Sequence, residues 1–182
     1  SIIPLSGIWH RVRVNEGDQL FGSVSDLWYP PPERLPRFGR ANAPHEPLLY
    51  LSEDGAVALR ESTFAEDRLV SVLNCRVSKS QKLLLHEIGV LEFVKKESIQ
   101  ALKKSRAEVV RRTHLAGFGN PRRQQLIYNY FSNLFTKAVN PGCELEYKAT
   151  VALTRILLSR PDCDGIVYPA MKSSKRDVNI AL

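Results

Sequence analysis

The chain is poor in the residues that build metal centres and disulfide frameworks. It has three cysteines (Cys75, Cys143, Cys163) and four histidines (His10, His45, His86, His114). No two cysteines are close enough in sequence for a zinc site, and the histidines show no ligand spacing. No metal cofactor is expected. An odd, sparse set of thiols fits a reducing compartment, where a free cysteine acts as a small buried apolar group.

Other signals are missing too. No apolar run approaches the roughly 20 residues that a membrane-crossing helix needs, and the start has no signal-peptide pattern. A cytoplasmic location with no membrane partner is the expectation. There is no glycine-rich phosphate loop, no Rossmann fingerprint and no nucleophile elbow. The first residue is Ser1 and the only methionine is Met171. That predicts a processed or excised chain whose native N-terminal segment is missing. The closing apolar run, Val178 to Leu182, predicts a missing C-terminal piece as well.

What is present is enough for one domain spanning residues 1–182. Hydrophobic residues make up 43% of 182, which supports a sizeable core and excludes a disordered chain. Ile8 to Val14 alternates and reads as a strand, with Trp9, Arg11 and Arg13 on one face and His10, Val12 and Val14 on the other. Asn15 to Glu46 is rich in proline, glycine and aspartate and reads as a long loop, stiffened at Pro30, Pro31 and Pro32. Pro47 to Ser52 is a second short strand. Asp54 is placed to cap a helix running to about Phe64, with Glu61 two turns in.

Arg68 to Val77 reads as a core strand, and Leu83 to Leu85 as another. Helices are predicted over Ser98–Arg112, Arg122–Val139 and Glu144–Ser159. The second carries Leu126, Ile127, Tyr130, Phe131, Leu134 and Phe135 at helical spacing and stops at Asn140-Pro141-Gly142; the third stops at Pro161. Gly165–Pro169 and Val178–Leu182 are strands flanking a polar turn. The fold class is α+β: a single mixed domain.

Charge is concentrated. Between Lys95 and Arg123 lie nine basic residues and two acidic ones, an excess equal to the chain's whole net charge of +7. Such a patch suits nucleic acid, an acidic protein partner or an anionic substrate, or is simply a solvated face. It has few interleaved aromatics, so stacking on single strands is not expected.

A small set of polar residues stands in three apolar frames: Trp9 to Val12 with Arg11, Pro47 to Ser62 with Tyr50 and Glu61, and Asp164 to Leu182. Arg11 and Arg13 offer planar forks suited to phosphate. Arg40 follows Gly39, which would let backbone approach a ligand. The plain alternative for each arginine is a surface ion pair, worth little. Tyr50 lies between Leu49 and Leu51. If the leucines face the core, its ring faces a cleft and is free to stack on a flat heterocycle; otherwise it is a half-buried core tyrosine. Trp28 and Tyr29 are placed to close over that ring from the loop. Glu61 suits the holding of a ribose hydroxyl and the stabilising of oxocarbenium-like charge. Its plain alternative is an exposed glutamate paired with Arg60.

Taken together, the frames resemble the RES-domain family, named for its Arg, Glu and Ser. The carrying stretches are Trp9-His10-Arg11-Val12, Arg37-Phe38-Gly39-Arg40-Ala41-Asn42, Leu48-Leu49-Tyr50-Leu51, Ala58-Leu59-Arg60-Glu61, and Asp164 to Pro169 followed by Asn179 to Leu182. The resemblance implies an ADP-ribosyltransferase-like fold, with a split, mostly antiparallel sheet flanked by helices around an NAD cleft. It implies an NAD glycohydrolase or phosphorylase that cleaves the nicotinamide–ribose bond, acting as the toxin of a bacterial toxin–antitoxin pair. NAD is then the substrate, and an antitoxin protein the partner. Arg11, Tyr50 and Glu61 take the catalytic positions, and Arg40, Asn42, Tyr29 and Ser173 the NAD-binding ones. The family serine position is Ala170 here, with Ser173 and Ser174 as the nearest hydroxyls. Two other readings stand beside this one: a nucleic-acid- or partner-binding module using the basic stretch, and a catalytically degenerate NAD-binding domain.

Overall fold

The computed structural model describes residues 8–15, 17–62, 68–78, 81, 83–89, 121–171 and 177–182. The chain is α+β, with one mixed six-stranded sheet and four helices among these residues. The strands are β1 (Trp9–Val14), β2 (Tyr50–Ser52), β3 (Val70–Cys75), β4 (Leu85–Glu87), β5 (Gly165–Pro169) and β6 (Val178–Ala181). The helices are α1 (Val24–Leu27), α2 (Gly55–Glu61), α3 (Pro121–Phe135) and α4 (Lys148–Leu158), with 3-10 turns at Pro32–Arg34 and Glu144–Tyr147.

Strand order is β3-β1-β2-β6-β5-β4. All neighbours are antiparallel except β4 and β5. β1 and β3 pair along their whole length, from Trp9 opposite Cys75 to Val14 opposite Val70. β1 and β2 are joined by the single registered pair His10–Ser52. The sheet is therefore most sparsely paired at that seam.

Alternation sorts the side chains onto two faces. Trp9, Leu49, Leu51, Leu85, Val167, Val178 and Ile180 form one buried cluster. On the other face, Ile166, Tyr168 and Ala181 pack with Phe135 of α3, while Tyr50, Leu153 and Leu157 fill in around them. Tyr50 thus faces away from Leu49 and Leu51, as alternation requires.

Several boundaries differ from expectation for identifiable reasons. β3 is an edge strand rather than a central one, and Val72 is half exposed. α3 ends at Phe135, before Asn140, because the Arg40 side chain takes the carbonyls of Phe135 and Lys137. It meets the sheet through its C-terminal half, where Ser132 and Phe135 are buried. Leu126, Ile127 and Tyr130 remain exposed. The third expected helix opens as a 3-10 turn before continuing as α4, which stops short of Pro161. The expected helix over Ser98–Arg112, most of the basic stretch, and Ser173 and Ser174 lie outside the described residues. Among the described residues, no helix is long and apolar enough to cross a membrane.

α2 is short, so its cap matters. Asp54 is extended (φ −123°, ψ 134°), and its carboxylate accepts from the Ala56 and Val57 amides. Val57 and Ala58 are buried, which leaves Glu61 on the last turn toward the sheet seam. Removing an N-cap typically costs about 1 kcal/mol. Asp54→Ala is expected to lower the unfolding free energy by that amount, read as a lower urea midpoint at an unchanged m-value in equilibrium unfolding followed by circular dichroism.

Candidate functional site

A cleft opens over the β1–β2 seam and encloses about 350 Å3. Arg11, Tyr50 and Glu61 all line it, joined by Arg40, Ser52, Tyr168 and Asn179. Residues far apart in sequence meet here because α2 returns across β1 and β2 directly after β2 ends.

Arg11 is the unusual group. Only 9% of its surface is exposed. Its Nη1 donates to the Tyr50 carbonyl at 3.3 Å, bridging the seam where backbone pairing stops. Its Nε is fully buried and has no hydrogen-bond partner. No carboxylate among the described residues pairs with it. Burial, with help from neighbouring Arg13, lowers its pKa from the ordinary arginine value to about 10. Buried cations are normally paired, so an unpaired one lining a cleft is a place for an anion.

Tyr50 is held rather than free. Its hydroxyl donates to Asn42 Oδ1 at 2.6 Å and accepts from the Ala41 amide at 3.1 Å. Burial pushes its phenol pKa upward. A Cβ at position 39 would fall on Asn42 Oδ1 and press the Tyr50 hydroxyl. Gly39 therefore permits the close approach of this loop to Tyr50, rather than that of backbone to ligand.

Arg40 lines the cleft, but its guanidinium is engaged. It donates to Phe135 O at 2.5 Å and Lys137 O at 3.1 Å, and it lies over the Tyr147 ring at 5.1 Å. A cation at a helix C-terminus satisfies its last carbonyls. Glu61 Oε1 accepts from the Met171 amide at 2.8 Å. That bond ties the carboxylate to the residue following Ala170 and sets its orientation over the cleft.

The remaining expected site residues fall elsewhere. Asn42 is buried and serves Tyr50 and the Ala43 carbonyl, outside the cleft lining. Tyr29 and Trp28 are exposed, edge-on to each other at 6.3 Å, and do not line the cleft. Arg13 turns to the Asp26 carbonyl and the Phe21 ring. No metal-holding group of three or more acidic, histidine or cysteine residues occurs among the described residues.

Sequence reading missed Ser52, Tyr168 and Asn179. Each is the polar member of a strand whose alternate residues are apolar, which was the available signal. Pairing register, which carries them to one place, is not visible in the chain. No family model, curated protein or solved structure matches the chain.

The charge at Arg11 has a cost that its bonds do not recover. A base whose folded pKa is lowered carries its full penalty while both states are protonated. The penalty is relieved only as pH rises through about 10 toward the ordinary arginine value. A shift of that size corresponds to about 3 kcal/mol, against about 1–3 kcal/mol for leaving the Tyr50 carbonyl unpaired. Arg11→Met is therefore expected to match wild-type stability within about 1 kcal/mol. Pyrophosphate is expected to raise the melting temperature of the wild type and not that of the variant, as read by differential scanning fluorimetry.

Proposed function

We propose that the cleft binds NAD and cleaves the bond between nicotinamide and ribose. The observation that carries this reading is the buried, unpaired Arg11 lining the same cleft as Glu61. A cation that the fold does not neutralise calls for an anionic ligand, and a nearby carboxylate calls for a centre that turns positive. A pyridinium ribonucleotide offers both.

Arg11 faces the diphosphate. Tyr50 contributes its ring face, its hydroxyl being fixed by Asn42 and Ala41. As the glycosidic bond breaks, its electron pair goes to the nicotinamide nitrogen and positive charge builds on the ribose. Glu61 stabilises that charge, which exists only near the transition state. Water or phosphate then adds to the ribose carbon. Arg40 acts through the loop: it fixes residues 39–42 against α3 and so holds Tyr50 in place. The cleft volume of about 350 Å3 lies at the small end of ligand pockets, roughly 300–1,000 Å3. One half of the dinucleotide sits inside and the other crosses the rim.

This reading agrees with the resemblance to RES domains and with an ADP-ribosyltransferase-like arrangement, in which the β1–β2 seam takes the place of the split. A cytoplasmic toxin restrained by an antitoxin is the corresponding biological role. Ala170 removes the family hydroxyl from this chain, and the Met171 amide instead holds Glu61.

Nicotinamide release from NAD by the pure protein, followed by chromatography, is the test. Glu61→Gln keeps an acceptor for the Met171 amide and removes the charge. It is expected to reduce turnover by about a hundredfold or more, with unchanged NAD affinity and melting temperature. NAD binding with no release by the wild type would leave a binding domain without this chemistry. Equal turnover in the variant would remove Glu61 from the mechanism.

A further inference from the structure

Strand register places one residue from each of five strands in a single line across the cleft face: Asn74, His10, Ser52, Asn179 and Tyr168. The last four all line the cleft. Partners within the row engage some of its groups. His10 Nδ1 lies 2.8 Å from Asn74 Oδ1. With that amide oxygen accepting, Nδ1 carries the proton and Nε2 is left an acceptor. Ser52 Oγ donates to Asn179 Oδ1 at 2.5 Å.

Other groups in the row are open. Among the described residues, neither Asn179 Nδ2 nor the Tyr168 hydroxyl has a hydrogen-bond partner. Both side chains are more than nine-tenths buried, with Asn179 6% and Tyr168 4% exposed. Neither atom is sealed from the cleft, unlike Arg11 Nε. The Tyr168 phenol sits in the field of Tyr50, Arg40, Glu61 and Tyr147, and all four line the same cleft. The other cleft hydroxyls are engaged: Tyr50 with Asn42, Ser52 with Asn179, Ser62 with the Leu59 carbonyl, and Tyr147 with Arg40.

A donor that opens on a cleft and meets no protein group is left to solvent or to a ligand. Two such donors on neighbouring strands, whose axes are about 5 Å apart, form a pair that one small ligand can reach. We infer that Asn179 and Tyr168 are ligand-contacting residues that donate hydrogen bonds to adjacent oxygens of a ribose phosphate. The row thereby makes the cleft selective for a sugar phosphate over a flat apolar molecule of the same size. The inference deepens the NAD reading and rests on it only for the choice of NAD as one probe.

Tyr168→Phe is the discriminating variant, because the hydroxyl it removes has no partner in the described protein. Folding should not suffer, and an unchanged melting temperature checks this. Calorimetry with NAD, ADP-ribose and ribose 5-phosphate is run on the wild type and the variant, beside the nicotinamide-release assay. The expected result is a three- to tenfold weaker affinity for every probe that the wild type binds, of order one neutral hydrogen bond. Asn179→Asp keeps the acceptor for Ser52 and replaces the open donor with a negative acceptor. It should weaken binding of the same probes by more than tenfold.

Unchanged affinity in both variants would overturn the inference while leaving NAD cleavage standing. Loss of ADP-ribose or ribose 5-phosphate binding in both variants, with no nicotinamide released by the wild type, would sustain the inference and remove the cleavage reading. A wild-type protein that binds none of the three probes would overturn the inference.

Discussion

A guanidinium buried without a counter-charge is the constraint around which this protein is arranged. Arg11 sits where two strands stop pairing, and its side chain makes the bond that the backbones do not. Were β1 and β2 zipped together, Tyr50 O would be available to a backbone amide and the space over the seam would close. With the ladder limited to His10–Ser52, a cation enters the sheet beside the apolar cluster that includes Trp9, Leu49 and Leu51. The opening in the sheet and the charge at its edge have one cause.

Around that seam the structure is braced from outside. The loop at residues 39–42 is held on one side by the Tyr50 hydroxyl and on the other by Arg40, which reaches α3, while Thr150 of α4 bonds the Arg40 carbonyl at 2.6 Å. Each such bond contributes about 1 kcal/mol net, so the loop is fixed by several small terms acting together. Glu46 adds an exposed ion pair with Arg155 of α4, which contributes less. Tyr50 consequently presents a ring whose position is set before any ligand arrives. Preorganisation of this kind lowers the ordering cost of binding.

The chain disclosed elements better than it disclosed neighbours. The β1 alternation, the Asp54 cap and the strands β5 and β6 were readable because they depend on local spacing and on a single capping side chain. Arg11, Tyr50 and Glu61 stood out because each is polar within an apolar frame, and the fold does bring them to one cleft. Arg40 stood out beside Gly39, and Asn42 through the family resemblance, yet their side chains turn inward to hold the loop. Residue type alone does not separate a group that meets a ligand from one that meets its own backbone. Tyr168 and Asn179 escaped notice because they become adjacent only through antiparallel register, which pairs positions by three-dimensional packing rather than by sequence distance.

The placement of the two charges argues that the cleft is built for a ligand and not for stability. Glu61 ends α2, where the helix dipole presents its negative end, and a carboxylate there is disfavoured by about 0.3–1 kcal/mol. Arg11 is stripped of water with an unfilled donor. Sequences that specify a fold avoid such conflicts between local preference and global structure except where function requires them. Two conflicts of opposite sign lining one opening complement a molecule that carries phosphate at one end and develops positive charge at the other. A neutral ligand would leave the buried cation without a counter-charge, and a simple anion would make no use of the carboxylate.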